Sequence, residues 1–264
     1  MADTAWNPDT YSRFATLRSK PFWDLVDLID PTGPSSTMVD LGCGSGELTA
    51  ELADRLDVAS AIGVDSSTAM LERAHAHDST RCSFIHDDIA TWTSAPPVDL
   101  LVANASLQWV PDHPAVLARW MSSVAIGGQI AVQVPANADH PSHTCSASVA
   151  RREPFVSAMG GSAPPDPVAD NVLTPEEYSE LLHALGVDEP IVQLHVYPQL
   201  MDSSSQVVEW TRGTSLTRFF RVLPRELHDR FVEAYRTELL GAIGDQSPYF
   251  YTFKRILLAG TRTR

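Results

Sequence analysis

Val39-Asp40-Leu41-Gly42-Cys43-Gly44-Ser45-Gly46 is the stretch on which the fold turns. It leaves a short apolar run, Thr37–Leu41, and leads into Glu47–Leu56, where Leu48, Leu52 and Leu56 recur at helical spacing. Glycines at such a strand-to-helix turn let the backbone bend sharply and approach a ligand closely. Dinucleotide sites share this geometry. Two details point elsewhere: the spacing is GxGxG rather than GxGxxG, and an acidic residue, Asp40, stands two places before the first glycine. A carboxylate there suits hydrogen-bond donors or a cationic ammonium group better than a pyrophosphate.

Outward from the loop, apolar runs and helical patterns alternate. Ala61–Val64, Ser83–Ile85, Val98–Ala103, Gly128–Val134, Ile191–Tyr197 and Tyr251–Ala259 read as further strands. Helices are expected over 20–30, 47–56, 67–75, 174–185, 205–215 and 224–243, the fourth opening on Thr174-Pro175-Glu176-Glu177 and ending at Gly186. Continuous apolar strands separated by helices predict an α/β fold, a largely parallel sheet covered on both faces. Residues 136–170 carry much Ala, Ser, Pro and His, with GGSAPPDP at 160–167 reading as a loop. One domain over 1–264 is expected, with a helical lid at 1–30 and cap insertions at 136–170 and 202–248.

The charge balance narrows the function. The chain of 264 residues has 33 acidic against 19 basic residues, a formal net charge of −14. Such a field repels phosphate backbones and anionic lipid, so neither nucleic acid nor membrane is an expected partner. No run approaches the length of a membrane span, and the first residues show no leader-like apolar region, so a cytoplasmic protein is expected. Cys43, Cys82 and Cys145 are too scattered for a disulfide framework and read as small buried or half-buried thiols. His113, His140 and His143 lack metal-ligand spacing and are expected at the surface; no metal site is expected.

Three acidic positions follow strands in succession. Asp40 lies beside the glycine loop, Asp65 closes the second strand, where a carboxylate can accept both hydroxyls of a ribose, and Asp88 follows the third, where it can take an adenine amine. Alone, each could be a helix cap or a solvated turn. At the carboxyl ends of neighbouring parallel strands they converge on one crevice.

With these residues the sequence resembles the class I S-adenosylmethionine-dependent methyltransferases: VDLGCGSG matches their first motif, Asp65 the ribose carboxylate and Asp88 the adenine carboxylate. A denser likeness is to the trans-aconitate 2-methyltransferase family. It is carried by Trp6-Asn7-Pro8-Asp9-Thr10-Tyr11 with Phe14, Arg18 and Pro21, by Asp65-Ser66-Ser67 with Met70, by Ala103-Asn104-Ala105-Ser106-Leu107-Gln108-Trp109-Val110-Pro111-Asp112-His113, and by Ala131-Val132-Gln133-Val134-Pro135. It is dense over 6–135 and scattered over 136–264. Lys20 stands where arginine is expected, and Lys254 replaces a proline before Arg255.

The resemblance implies a Rossmann-like sheet of seven strands, mostly parallel with the last antiparallel, and a small helical cap. It implies S-adenosyl-L-methionine as cofactor and methyl esterification of a small polycarboxylic acid, trans-aconitate above all. Cofactor-binding residues are then Asp40, Gly42, Gly44, Asp65, Ser66, Asp88, Ile89 and Asn104; acceptor-binding residues are Tyr11, Arg18, Gln108, Trp109 and Arg255. Arg151, Arg152 and Lys20 are further cations that could meet an anionic acceptor, although Arg151-Arg152-Glu153 reads as a solvated helical face. No catalytic base is expected, because a carboxylate is already ionised at neutral pH and the protein need only align the reacting atoms. The competing readings are a methyltransferase for another free or carrier-linked acid and a protein that binds the donor without turnover. A monomer is expected.

Overall fold

The computed structural model describes residues 15–31, 33 and 36–264, with side chains from Ser19 onward. Seven strands form one sheet: β1 (Thr37–Leu41), β2 (Ser60–Asp65), β3 (Cys82–His86), β4 (Val98–Asn104), β5 (Val124–Pro135), β6 (Ile191–Met201) and β7 (Tyr249–Thr261). Their order is β3-β2-β1-β4-β5-β7-β6. The β1, β2, β3, β4 and β5 pairings are parallel, and β7 runs antiparallel to β5 with Arg255 opposite Pro135.

The central strands β1, β4 and β5 and the middle of β7 are largely apolar because the period-2 alternation of side chains feeds two different cores. Val39 and Leu41, Leu101 and Ala103, Ile130, Val132 and Val134, and Ile256 and Leu258 enter one cluster. Their chain neighbours Met38, Leu100, Val102, Ala131 and Leu257 enter the other. The first core is closed by α4 (His113–Ser122) and α8 (Pro175–Ala184), through Val116, Leu117, Trp120, Tyr178 and Leu182. The second is closed by α1 (Ala15–Val26), α2 (Glu47–Arg55) and α3 (Thr68–Ala74), through Phe22, Leu25, Leu52, Ala53, Leu71 and Ala74.

Helix starts follow local chemistry. Thr174 forms a full capping box with Glu177, as the sequence predicts, and Pro175 takes the first turn, where its missing N–H costs nothing. Asp112 caps α4 by accepting the Ala115 N–H.

The chain divides into two compact units. The sheet unit comprises 17–136, 171–195 and 255–264; the other includes 137–170 and 196–254. Phe22, Leu25, Val26 and Ile29 are buried in the core of the sheet unit. Residues 1–14 lie outside the described residues.

The second unit contains α5 (Pro141–Ala150), α6 (Phe155–Ala158), α7 (Pro167–Asn171) up to Asp170, α9 (Ser205–Arg212), α10 (Thr217–Phe220) and α11 (His228–Ile243). Phe231 packs edge-on against Phe155 at 5.1 Å and, tilted, against Phe219 at 4.8 Å between ring centroids. The buried Tyr235 hydroxyl donates to Ser142 O and accepts from Thr211 Oγ1. Helix α5 has no apolar stripe because its buried side includes Ser142, His143 and Ser146, each satisfied locally or by the neighbouring chain. A periodicity reading therefore misses it.

Candidate active site

At the end of β1 the chain turns through Gly42, Gly44 and Gly46 with φ of +83°, +57° and +76°. A Cβ on Gly42 would lie 2.2 Å from Ser106 Cβ, so this glycine permits the close approach of the loop to the segment after β4. Ser106 Oγ in turn donates to Leu41 O. Gly44 differs: a Cβ there would meet nothing within 4 Å, so this part of the loop borders open space.

The Asp65 carboxylate clasps the loop. Its Oδ2 accepts the Gly44 N–H at 2.9 Å and its Oδ1 accepts the Ser67 N–H at 2.8 Å. Each oxygen has a second lone pair, so two acceptor positions remain for a ligand. Ser66 is exposed beside it and its carbonyl accepts from His86 Nε2 at 3.0 Å, which links the ends of β2 and β3. Past β3, Asp88 is exposed; its Oδ1 accepts the Ala90 N–H, and Ile89 O accepts Trp120 Nε1.

Asp40 is 4% exposed in the middle of the sheet, and Thr49 Oγ1 donates to its Oδ2. Burial pushes its carboxyl up to about 6, against the Thr49 hydrogen bond, and the nearby Asp65 charge adds to the rise.

At the end of β4, the side-chain oxygen of Asn104 is buried without a partner, and so is Gln108 Oε1. Gln133, opposite Asn104 in the β4–β5 register, is 1% exposed with Nε2 also unpartnered. Gln133 is not among the site residues expected from sequence, though a polar residue within the apolar run AVQV is its signal. Ala105 takes φ +53°, uncommon for a non-glycine residue, and Gln108 Nε2 donates to its carbonyl at 2.6 Å.

The turn Leu107–Trp109 is held from two further sides. His113 Nε2 lies 3.0 Å from Leu107 O, and Asn171 Nδ2 donates to Gln108 O at 2.8 Å. Tyr178 Oη sits 2.6 Å from His113 Nδ1. With Nε2–H donating to a carbonyl, Nδ1 accepts from the tyrosine hydroxyl, which fixes a neutral imidazole. The turn leaves Trp109 52% exposed.

The expectation that His113, His140 and His143 lie at the surface is corrected. His113 and His143 are buried and His140 is half-buried. Their rings find backbone, hydroxyl, amide or carboxylate partners, which allows burial without metal.

Among the cations, Lys20 pairs with Asp24 at 2.8 Å and is largely exposed, Lys254 pairs with Asp139 at 2.6 Å, and Arg152 pairs with Glu238. Arg151 is exposed, as the solvated-face reading predicts. Arg255 is half-buried on β7. Tyr11 and the Arg18 side chain lie outside the described residues.

Carboxylates of Asp40, Asp65 and Asp88 and the Asn104 oxygen thus share the carboxyl edge of the parallel strands. This set offers acceptors to ammonium, hydroxyl and amine donors, and it would repel a pyrophosphate.

A methyltransferase domain model matches residues 38–128, from β1 to the start of β5. Solved structures show the same architecture, among them the YcgJ protein of Bacillus subtilis, with a TM-score of 0.57 at 14% identity over 92% of this chain and 97% of that one. Another is phosphoethanolamine N-methyltransferase 2 of Haemonchus contortus in complex with S-adenosyl-L-methionine, with a TM-score of 0.51 at 15% identity over 92% of this chain and 53% of that one. The fold and the acceptor-lined edge define a class I S-adenosylmethionine-dependent methyltransferase. A relative in Deinococcus radiodurans, a trans-aconitate 2-methyltransferase, is 41% identical over 97% of this chain and 98% of its own. One of the same name in Methylobacterium radiotolerans is 38% identical over 94% and 93%. The chain belongs to the trans-aconitate 2-methyltransferase family.

Proposed function

We propose that this enzyme esterifies one carboxylate of trans-aconitate, with S-adenosylmethionine as methyl donor. Full-length likeness to relatives of that name supports the substrate. The observation that carries the donor site is the Asp65 carboxylate clasping Gly44 beside open space.

When bound, S-adenosylmethionine supplies a methyl group activated by a sulfonium. Asp65, held by two backbone amides, offers its free lone pairs to the ribose hydroxyls, with Gly44 and Ser66 beside it. Asp88 would take the adenine amine, with Ile89 beside it. Asp40, Gly42 and Asn104 serve the amino-acid end, where a cationic ammonium would bring the Asp40 carboxyl back down from about 6. Gln108, the exposed Trp109, Arg255, Tyr11 and Arg18 orient the acceptor. A carboxylate needs no base to be nucleophilic at neutral pH, so alignment of the reacting atoms is the contribution required, worth up to ~7–11 kcal/mol.

The test is a radiolabelled methyl-transfer assay against trans-aconitate, cis-aconitate, citrate and isocitrate, with mass spectrometry of the products. Selective turnover of trans-aconitate is expected. Donor binding by calorimetry without turnover of any of these acids would overturn the substrate reading and leave the class intact.

A further inference from the structure

Gln129 and Gln133 lie on the same face of β5, since side chains alternate along a strand and Ala131 between them enters the second core. Both are buried, at 4% and 1% exposure. Gln129 is a structural glutamine: its Oε1 accepts the Asp30 N–H at 2.8 Å and its Nε2 donates to Asp30 O at 3.0 Å. Gln133 differs. Its Nε2 is kept out of water without an acceptor among the described residues, and an unpaired buried donor is costly.

The sheet register shows what surrounds this amide. Asn104 on β4 is the partner of Gln133, on a strand about 4.8 Å away. The two do not satisfy each other: Asn104 Oδ1 is an acceptor without a donor, and Gln133 Nε2 a donor without an acceptor. Asp40 on β1 shares their face, because its register partner Val102 lies two residues before Asn104. So does Arg255 on β7, whose partner Pro135 lies two residues after Gln133. In the sheet order β1-β4-β5-β7, Asp40, Asn104, Gln133 and Arg255 therefore step across one face of the sheet unit toward its carboxyl edge.

The two halves of this row differ in chemistry. Asp40 and Asn104 present oxygens, which suit a cationic ammonium; Gln133 and Arg255 present N–H groups, which suit a carboxylate. Gln108 is spent differently, since its Nε2 donates to Ala105 O at 2.6 Å and the atom it leaves unpartnered is an oxygen. We propose that Gln133 is an acceptor-binding residue: its Nε2 donates to one oxygen of the carboxylate that receives the methyl group and leaves the other oxygen to react. It stands one strand from Asn104, assigned above to the amino-acid end of the donor, so it meets the reacting carboxylate, whereas Arg255, one strand further, meets another part of the acceptor. The inference rests on the acceptor being a carboxylic acid, as proposed above, and not on which acid it is.

The experiment compares Gln133→Met, of similar volume without the amide, and Gln133→Glu, of the same shape with the NH2 replaced by an acceptor. Calorimetric titration of the full chain, with S-adenosylhomocysteine bound, by propane-1,2,3-tricarboxylate reads acceptor binding without reaction. Gln133→Met is expected to bind this probe roughly tenfold more weakly than wild type, and Gln133→Glu more weakly still, with S-adenosylhomocysteine affinity within about twofold of wild type in both. Gln133→Asn, which keeps an amide on a shorter stem, is expected to fall between wild type and Gln133→Met. The melting temperature of Gln133→Met is expected to equal or exceed that of wild type, because the unpaired donor is gone, whereas Gln129→Met, which loses both bonds to Asp30, is expected to melt lower. In turnover, kcat/KM for trans-aconitate is expected to fall roughly tenfold or more in Gln133→Met and Gln133→Glu. Undiminished probe affinity in the Gln133 variants, no probe binding by wild type, or an equal loss of S-adenosylhomocysteine affinity would overturn the role. A melting temperature lowered as far as in Gln129→Met would make Gln133 structural and overturn it too. If wild type binds the probe but does not methylate trans-aconitate, the substrate reading falls, and the dependence of probe affinity on Gln133 still decides the inference.

Discussion

Replacement of Asp65 by alanine removes two charge-assisted hydrogen bonds at once, from Gly44 N at 2.9 Å and Ser67 N at 2.8 Å. Asp65 is partly exposed, so water can replace some of what is lost; about 1 kcal/mol per bond gives about 2 kcal/mol in all. At ~2–4 °C per kcal/mol for a chain of this size, the melting temperature should drop by about 4–8 °C. Donor affinity should fall further, because the ribose hydroxyls lose their acceptor: about 1–3 kcal/mol, roughly 5- to 150-fold. Thermal denaturation and calorimetric titration with S-adenosylhomocysteine read the two effects separately. A normal melting temperature would refute the clasp, and unchanged affinity for S-adenosylhomocysteine would refute the ribose assignment, even if the loop proved less stable.

Other perturbations separate roles within the same edge. Gly44→Ala should fold, at a cost of ~1–2 kcal/mol for its positive φ, yet lose donor affinity by calorimetry, whereas Gly42→Ala, with its Cβ 2.2 Å from Ser106, should yield little folded protein. The folded chain holds the Asp40 proton up to about pH 6, so without donor its ionisation costs stability as pH rises from about 4 through 6, at most about 3 kcal/mol. Asp40→Asn should flatten that part of the melting-temperature profile and weaken donor binding. Tyr178→Phe leaves His113 Nδ1 buried without a donor and should cost ~1–3 kcal/mol in thermal denaturation. Because burial holds the His113 imidazole below its ordinary value, the unfolded chain binds that proton first on acidification, and stability should fall as pH drops below about 6.5.

What the sequence determined by itself was everything governed by local pattern. All seven strands were legible, the central ones because a strand buried on both faces must be apolar along its length and the edge strands β3 and β6 from their short apolar runs, and the glycine loop was legible because glycines at a strand-to-helix turn mark positive φ. Asp40, Asp65 and Asp88 could be placed together because parallel strands deliver their ends to one edge. Tertiary structure decided the rest, where residues distant in the chain meet. Helix α5 shows no stripe because its polar side chains are satisfied by partners such as Asp166 and Tyr235. His113 is buried only because Tyr178, 65 residues away, gives it a hydrogen-bond partner. The burial of Arg218 and its ion pair with Asp166, 52 residues away, exist only once the second unit has folded. Periodicity records which face of an element is apolar, but whether a polar group is buried depends on the partner that satisfies it, and that partner is chosen by the fold.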